Sequence, residues 1–153
     1  MRGFTLVEMM MTIAIGAILL AISAGAYSSI RNDSLVTSAS EKTTTALYQA
    51  RLRALSQRNS QSVTIDYSNE GMTDSFGNSH LYNSVNLQNL PSGTCTPGVS
   101  TSEAITFKSR GAATAAIIKV SSSVSSKTNY IVVNGITGGV HLYKSCTGLG
   151  ILS

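Results

Sequence analysis

A run of 22 residues without a charge, from Met9 to Ile30, constrains the fold of this chain more than any other feature. As a helix rising about 1.5 Å per residue, it would cover about 33 Å, the thickness of the hydrocarbon core of a bilayer. A cleaved signal peptide, cut near residues 24–26, is one alternative, although its apolar core usually has only about 7–15 residues. A plain single-span anchor is another. Neither explains Glu8, because a carboxylate one turn into a membrane helix is costly unless it has a partner.

The remainder of the chain has the size and composition of one small, β-rich, exported domain. After Ile30, 123 residues remain (153 minus 30), which is enough for one domain. Only 12% of the residues are charged, and Ser, Thr, Asn and Gly are abundant. Val, Ile and Leu recur in short runs, which argues against a disordered chain. The net charge of +4 indicates a mildly basic surface and does not by itself predict a nucleic-acid ligand.

Cys95 and Cys146 are the two cysteines of the chain. In a small exported domain such a pair is expected to form one disulfide, whereas two unpaired thiols would be expected in a cytosolic protein. The bond would close a loop of about 50 residues and contribute roughly 4 kcal/mol by the loop-entropy relation.

Residues 31–59 contain neither Pro nor Gly and are rich in helix-forming side chains. We therefore expect one helix from Phe4 to Asn59, roughly 84 Å long. One face of its second half should pack on the domain. A second apolar face, formed by Tyr48, Leu52 and Leu55, needs neighbouring subunits or, in a monomer, a deeply buried helix. The first face consists of Val36, Ala39, Thr43, Ala46, Leu47, Ala50 and Ala54.

From Gln61 onward the apolar period changes from 3.6 to 2, which indicates strands. A turn-rich segment at 68–79 and a loop at 90–102 separate the first strands. The pattern predicts an α+β fold, in which the long N-terminal helix packs on a small antiparallel β-sheet domain. The expected strands are 61–67, an irregular one at 81–87, 104–108, 113–120, 130–133 and 140–144.

The segment Gly3-Phe4-Thr5-Leu6-Val7-Glu8 resembles the processing site of type IV pilins and of type II secretion pseudopilins. The resemblance implies that a membrane-embedded prepilin peptidase cuts between Gly3 and Phe4 and that Phe4 is then N-methylated. It also implies that Glu8, at the fifth mature position, neutralises the terminal ammonium of a neighbouring subunit during assembly. The chain departs from the pattern in two ways: the leader has three residues with only Arg2 charged, and Gly25 stands where many pilins carry proline.

Residues 41–65 are similar to minor pilins and pseudopilins of the FimT/GspH type, in which a ladder of Ala-Leu, Ala-Arg, Ala and Arg-Asn ends the helix just before the first strand. The resemblance implies the pilin fold and four segments: a leader (1–3), the transmembrane and filament-core half of the helix (4–30), its amphipathic half (31–59) and a globular β domain (60–153).

The resemblance also implies a place and a set of partners. The chain would cross the inner membrane once, with its N-terminus cytoplasmic and its domain periplasmic, before it enters a pilus or pseudopilus filament. Its expected partners are other pilin subunits, the prepilin peptidase, an inner-membrane assembly platform and membrane lipid. The sequence does not decide between a pilus, a secretion system and a competence apparatus, nor between a minor and a major subunit.

No catalytic, cofactor or metal site is predicted. His80 and His141 are isolated histidines without the spacing of metal ligands. Asp66, Glu70 and Asp74 lie close together in the sequence but lack the spacing of a calcium loop. We therefore expect a protein that assembles and binds rather than an enzyme.

DNA is the alternative ligand, because some FimT-type pilins are implicated in capturing DNA for natural transformation. Phosphate binding requires several cations on one face. The uncharged tail 147–153 departs from the arginine-containing C-terminal pattern of DNA-binding members. The candidate cations are Lys108, Arg110, Lys119, Lys127 and Lys144 in the domain, beside Arg51, Arg53 and Arg58 on the helix.

Overall fold

The protein is described by a computed structural model that covers residues 5–91 and 95–146, with only the backbone described at 23–26. One long helix packs on two four-stranded antiparallel sheets. The predicted fold class, an N-terminal helix on antiparallel β structure, is confirmed. The strands divide into two sheets instead of forming one.

Helix α1 spans Leu6–Gln57, about 78 Å at 1.5 Å per residue. Thr5 is its N-cap, and the Thr5 hydroxyl oxygen accepts a hydrogen bond from the backbone N–H of Glu8 at 3.3 Å. The helix ends two residues before the predicted Asn59, because Arg58 adopts the left-handed conformation with φ 52° and turns the chain toward the first strand.

Sheet A has the strand order β3-β2-β1-β5 and sheet B the order β4-β6-β7-β8, with antiparallel pairing throughout. The strands of sheet A are β1 (Gln61–Asp66), β2 (Gly71–Thr73), β3 (Ser79–Leu81) and β5 (Ser102–Phe107). Those of sheet B are β4 (Asn86–Asn89), β6 (Ala116–Ser121), β7 (Thr128–Val133) and β8 (Val140–Tyr143).

Two local expectations need correction. The segment 68–79 is rich in turns, as expected, but it also contains the short strand β2, which was not predicted. The single irregular strand expected at 81–87 is instead the end of β3 and the start of β4, which belong to different sheets. Between them Ser84 has a φ of 65°, a left-handed conformation that interrupts extended backbone.

The hydrophobic core lies between α1 and the inner faces of both sheets. All seven residues of the predicted packing face of α1 are buried. Sheet A contributes Val63, Ile65, Ile105 and Phe107, and sheet B contributes Ile118, Val120, Ile131 and Val133. By contrast, Tyr48 on the second helix face remains 50% exposed. The second half of α1 is thus a structural part of the domain, with one apolar face left uncovered.

Hydrogen bonds between side chains connect α1 to both sheets. The hydroxyl groups of Thr43 and Tyr82 are 3.0 Å apart, and the Asn129 side-chain amide donates to the Ser40 hydroxyl at 3.0 Å. Near the point on α1 where its contacts with the domain begin, the Ser125 hydroxyl donates to the Asp33 carboxylate. Such bonds compensate for the burial of polar groups and fix the position of the helix along the sheets.

A second polar connection joins the two sheets. The Glu103 carboxylate, on β5, accepts hydrogen bonds from the Tyr67 hydroxyl at 2.9 Å and from the Asn89 side-chain amide on β4. Burial, together with the negative charge of Glu103, raises the pKa of Tyr67 well above its ordinary value. The phenol therefore stays protonated and acts as a donor in this connection.

Candidate assembly surface on the N-terminal helix

The apolar run forms the first half of α1, and its described side chains are exposed. Leu20 is 74% exposed and Ile22 is 70% exposed. By length and composition α1 is able to cross a membrane, and its apolar stretch is not buried within the protein. Such a surface requires an apolar environment outside this chain. Without one, water would surround about a dozen large aliphatic side chains, which is unfavourable.

The domain covers only the second half of the helix. The first side chain of α1 with a described hydrogen bond to the domain is Asp33, and the first fully buried one is Val36. The 27-residue segment from Leu6 to Asn32 (32 minus 6, plus 1) extends about 40 Å along the helix, and none of its described side chains belongs to the hydrophobic core.

Glu8 lies in the first turn of α1 and is exposed. This turn is the positive end of the helix dipole, which favours a negative charge there. From Thr5 to Ile30 it is the one charged side chain. The Thr12 hydroxyl, in contrast, donates to the Met9 carbonyl at 2.9 Å, so this polar group is satisfied within the helix and adds little cost in lipid.

Gly3 and Phe4, the predicted cleavage site, lie outside the described residues, as does the uncharged tail 147–153. Cleavage between Gly3 and Phe4, methylation of Phe4 and the pairing role of Glu8 therefore stay predictions.

Cys95 and Cys146 form a disulfide, with their Cα atoms 6.0 Å apart. Cys146 also packs against a small apolar cluster on sheet B that consists of Leu90, Ile117 and Val132. The bond thus holds the end of the described chain against the loop that follows β4.

The structure does not gather the five cations of the DNA hypothesis on one face. Lys108 and Arg110 lie in the β5–β6 turn, next to the end of α1. Lys119 lies within β6, in register with Tyr130 of β7. Lys127 follows the turn that contacts Asp33, near the other end of the domain, and Lys144 follows β8.

The three carboxylates considered for a cation site do not converge. The Asp66 carboxylate accepts hydrogen bonds from Ser68 and Asn69, which lower its pKa to about 2. The Asp74 carboxylate is engaged in the β2–β3 turn and lies 3.7 Å from the imidazole of His80. Within residues 5–91 and 95–146, no three His, Cys, Asp or Glu side chains are placed to hold a metal ion.

Comparison with known proteins supports the class that the helix and sheets define. Residues 1–24 match the prokaryotic N-terminal methylation motif. The fold is the pilin fold: two crystal structures of the type IV minor pilin FimU from Pseudomonas aeruginosa strain PAO1 match with TM-scores of 0.53 and 0.52. They share 18% sequence identity with this chain and cover 70% and 75% of it, and 91% of each FimU chain is covered. No curated protein matches at a significant level.

At 18% identity the likeness to FimU establishes the fold alone. The N-terminal motif is a separate, local similarity, and the two findings together support the type IV pilin superfamily. The motif and the apolar helix fit a membrane-anchored pilin.

Proposed function

We propose that this chain is a minor pilin or pseudopilin, a non-enzymatic subunit that is assembled into a type IV pilus or a type II secretion pseudopilus. The observation that carries the proposal is the exposed apolar half of α1, in which Glu8 is the one charge between Thr5 and Ile30. A surface of this kind suits lipid before assembly and the apolar interior of a filament afterwards.

In this proposal a prepilin peptidase first cuts between Gly3 and Phe4, and Phe4 is N-methylated. The new terminal ammonium of one subunit then pairs with the Glu8 carboxylate of its neighbour. Two charges that would be expensive to bury separately become tolerable together. Gly16 fits such packing, because a Cβ atom at this position would meet nothing within 4 Å in the chain itself. The absence of a side chain there leaves room for another helix to approach closely.

The proposed topology is a single crossing of the inner membrane, with the N-terminus cytoplasmic and the domain periplasmic. Arg2 supports this orientation, since positive residues favour the cytoplasmic side. The disulfide supports a periplasmic domain, because such bonds persist in oxidising compartments. The partners would be other subunits, the peptidase, the assembly platform and lipid.

The decisive experiment compares the full chain with Glu8→Val in a host that makes the filaments. We expect normal cleavage of the variant, measured as the loss of Met1-Arg2-Gly3 and the gain of a methyl group at Phe4 by mass spectrometry. Incorporation into sheared filaments should fall at least tenfold, because an unpaired buried ammonium costs about 3–5 kcal/mol. Glu41→Val, which removes an exposed glutamate from the domain half of α1, is the matched control and should be incorporated normally.

Equal incorporation of wild type and Glu8→Val would refute the pairing role, whereas an uncleaved wild-type chain would refute the pilin assignment itself. Quantifying the chain in the filament also separates a minor from a major subunit. The DNA alternative is weaker, because its candidate cations are dispersed over the domain. It predicts salt-dependent DNA binding by the full chain in detergent, and no binding at low salt would remove it.

A further inference from the structure

The β6–β7 loop, residues 122–127, extends along α1 toward the apolar half of the helix. At the start of β7 the Asn129 side-chain amide donates to the Ser40 hydroxyl at 3.0 Å. Within the loop the Ser125 hydroxyl donates to the Asp33 carboxylate. These two attachment points on α1 are seven residues apart (40 minus 33), or about 10 Å along the helix axis. The loop therefore approaches the uncharged run from the side of the domain.

Asp33, to which the loop is bonded, lies just beyond the apolar run. It follows Ile30 by three residues (33 minus 30), or about 4.5 Å along α1. The polar headgroup layer of a bilayer is roughly 5–8 Å thick on each side of the hydrocarbon core. A subunit whose run from Met9 to Ile30 fills the hydrocarbon core thus carries Asp33 and the attached loop at the level of the headgroups.

Two residues of α1 mark the same boundary independently of the loop. Tyr27 is 70% exposed, and Arg31, the first charged residue after the apolar run, is exposed as well. Both side chains have an apolar body and a polar end, a combination that is stable where lipid meets water. The composition of α1 therefore changes to that of a membrane boundary where the loop is attached.

The loop carries an apolar side chain and a cation at this level. Val124 is 64% exposed, and Lys127 is partly exposed. The Val124 N–H donates to the Ser122 hydroxyl at 3.3 Å. The Lys127 N–H donates to the Ser125 hydroxyl at 3.0 Å. Because Ser125 is in turn bonded to Asp33, these local bonds fix the backbone of the loop relative to α1.

The loop and Arg31 lie on opposite sides of α1. At about 100° per residue, Arg31 is about 200° around the helix from Asp33, the residue that binds the loop. A bilayer surrounds a spanning helix on all sides, and its phosphates attract lysine and arginine. Lipid headgroups would therefore meet Arg31 and Lys127 together, whereas a protein partner on one side of α1 would meet only one of them.

We propose that the β6–β7 loop docks the domain on the periplasmic surface of the bilayer, with Val124 at the acyl boundary and Lys127 bound to phospholipid phosphate. This inference rests on the proposed function, since it requires α1 to span the membrane, and it adds a lipid contact that the domain itself makes. The contact holds the domain against the membrane before assembly and is released when α1 leaves the lipid.

The test uses the full chain in vesicles of phosphatidylethanolamine and phosphatidylglycerol, with an environment-sensitive fluorescent amino acid replacing the exposed Val124. Lipids with a quencher in the headgroup should quench this probe. The matched control places the probe at Ile136, which is 81% exposed and adjoins Thr137, whose carbonyl accepts from the Arg51 guanidinium at 3.0 Å. Arg51 lies 18 residues beyond Asp33 (51 minus 33), about 27 Å along α1, so the probe at position 136 should not be quenched.

The contribution of charge is measured with the probe at position 124. The quenched fraction gives the ratio of docked to undocked domains. Lys127→Gln should lower this ratio about fivefold, because each lysine near an anionic lipid surface contributes to the attraction. Lys108→Gln removes the same charge from the β5–β6 turn, beside the C-terminal end of α1, and should leave the ratio unchanged.

The proposal is overturned if the probe at position 124 is quenched no more than the probe at position 136. Equal losses in the Lys127→Gln and Lys108→Gln variants would also overturn it, as would quenching that begins only when another protein is added. A probe at Tyr27 distinguishes the two levels of failure. If this probe is quenched and the one at position 124 is not, α1 is in lipid and only the docking is refuted. If neither is quenched, the membrane anchor of the proposed function fails, and the docking fails with it.

Discussion

Removing the disulfide should cost the domain a large part of its stability. Cys95 and Cys146 are 51 residues apart in sequence. The loop-closure relation gives about 14 cal/mol/K for a loop of this length, or about 4 kcal/mol at 25 °C. Domains of this size unfold with about 5–15 kcal/mol, so the double variant Cys95→Ser/Cys146→Ser should remain folded with about 1–11 kcal/mol.

Urea unfolding of the full chain in detergent micelles measures this cost. The chain contains 6 tyrosines and no tryptophan, so near-UV circular dichroism reports the packing of the domain. Tyr82, with a buried side chain, is one tyrosine whose surroundings change on unfolding. With slopes of about 1–3 kcal/mol/M, the midpoint should fall by between about 1 and 4 M. Wild type reduced with a thiol reagent should match the double variant.

An unchanged midpoint, with both thiols verified as free in the reduced wild type, would refute the reasoning. It would mean that the apolar contacts of Cys146 with Leu90, Ile117 and Val132 close the loop without the bond. If instead reduction lowers the midpoint and the serine variant lowers it much further, the serine side chains disturb the cluster, and reduction gives the cleaner value.

Three further predictions concern single positions. In the folded protein the pKa of Asp66 is about 2, below its ordinary value of 3.8. The ionised carboxylate therefore stabilises the fold above about pH 4, and this stabilisation is lost as the pH falls toward 2. Asp66→Asn should flatten the pH dependence of the urea unfolding midpoint between these pH values. Gly138→Ala should destabilise the domain by more than about 2 kcal/mol in urea unfolding, because its Cβ would clash with backbone, whereas Gly77→Ala, at a φ of 86° with open space around it, should cost about 1 kcal/mol. Tyr82→Phe should cost about 1–2 kcal/mol by removing the hydrogen bond to α1, and the same change at the exposed Tyr48 should lie within about 0.5 kcal/mol of wild type.

The helix was predictable because its determinants are local. Val36, Ala39 and Leu47 recur at the spacing of one helix face, and the same residues are buried in the structure. The division into two sheets was not predictable, because strand pairing joins distant segments. β5 pairs with β1 across about 40 residues, and no feature of Ser102–Phe107 alone specifies that partner. The three-residue β2 is too short to show a period among the surrounding turn residues.

The candidate surfaces differ in the same way. The apolar run and Glu8 are visible in sequence, because a bilayer imposes its requirement on consecutive residues. The junction of the β5–β6 and β7–β8 turns at the end of α1 is not visible in sequence, because Leu55, Arg110 and Ile136 come from three separate elements. Two turns, joined at Gly111 and Gly138, bring them together. The one sequence signal was the glycine in each turn, which indicates a reversal of the chain without indicating its neighbour.

The unbroken course of α1 also has a mechanical consequence. Helix α1 runs from Leu6 to Gln57 without proline, so tension applied at its N-terminal end travels along one continuous hydrogen-bonded rod. This tension reaches the sheets as shear, parallel to the core, across the contacts of Asp33, Ser40 and Thr43. Bonds spaced along the helix axis share a shear load, whereas bonds pulled open from one end fail in sequence. The domain is therefore attached to its helix in the geometry that best resists pulling along the helix.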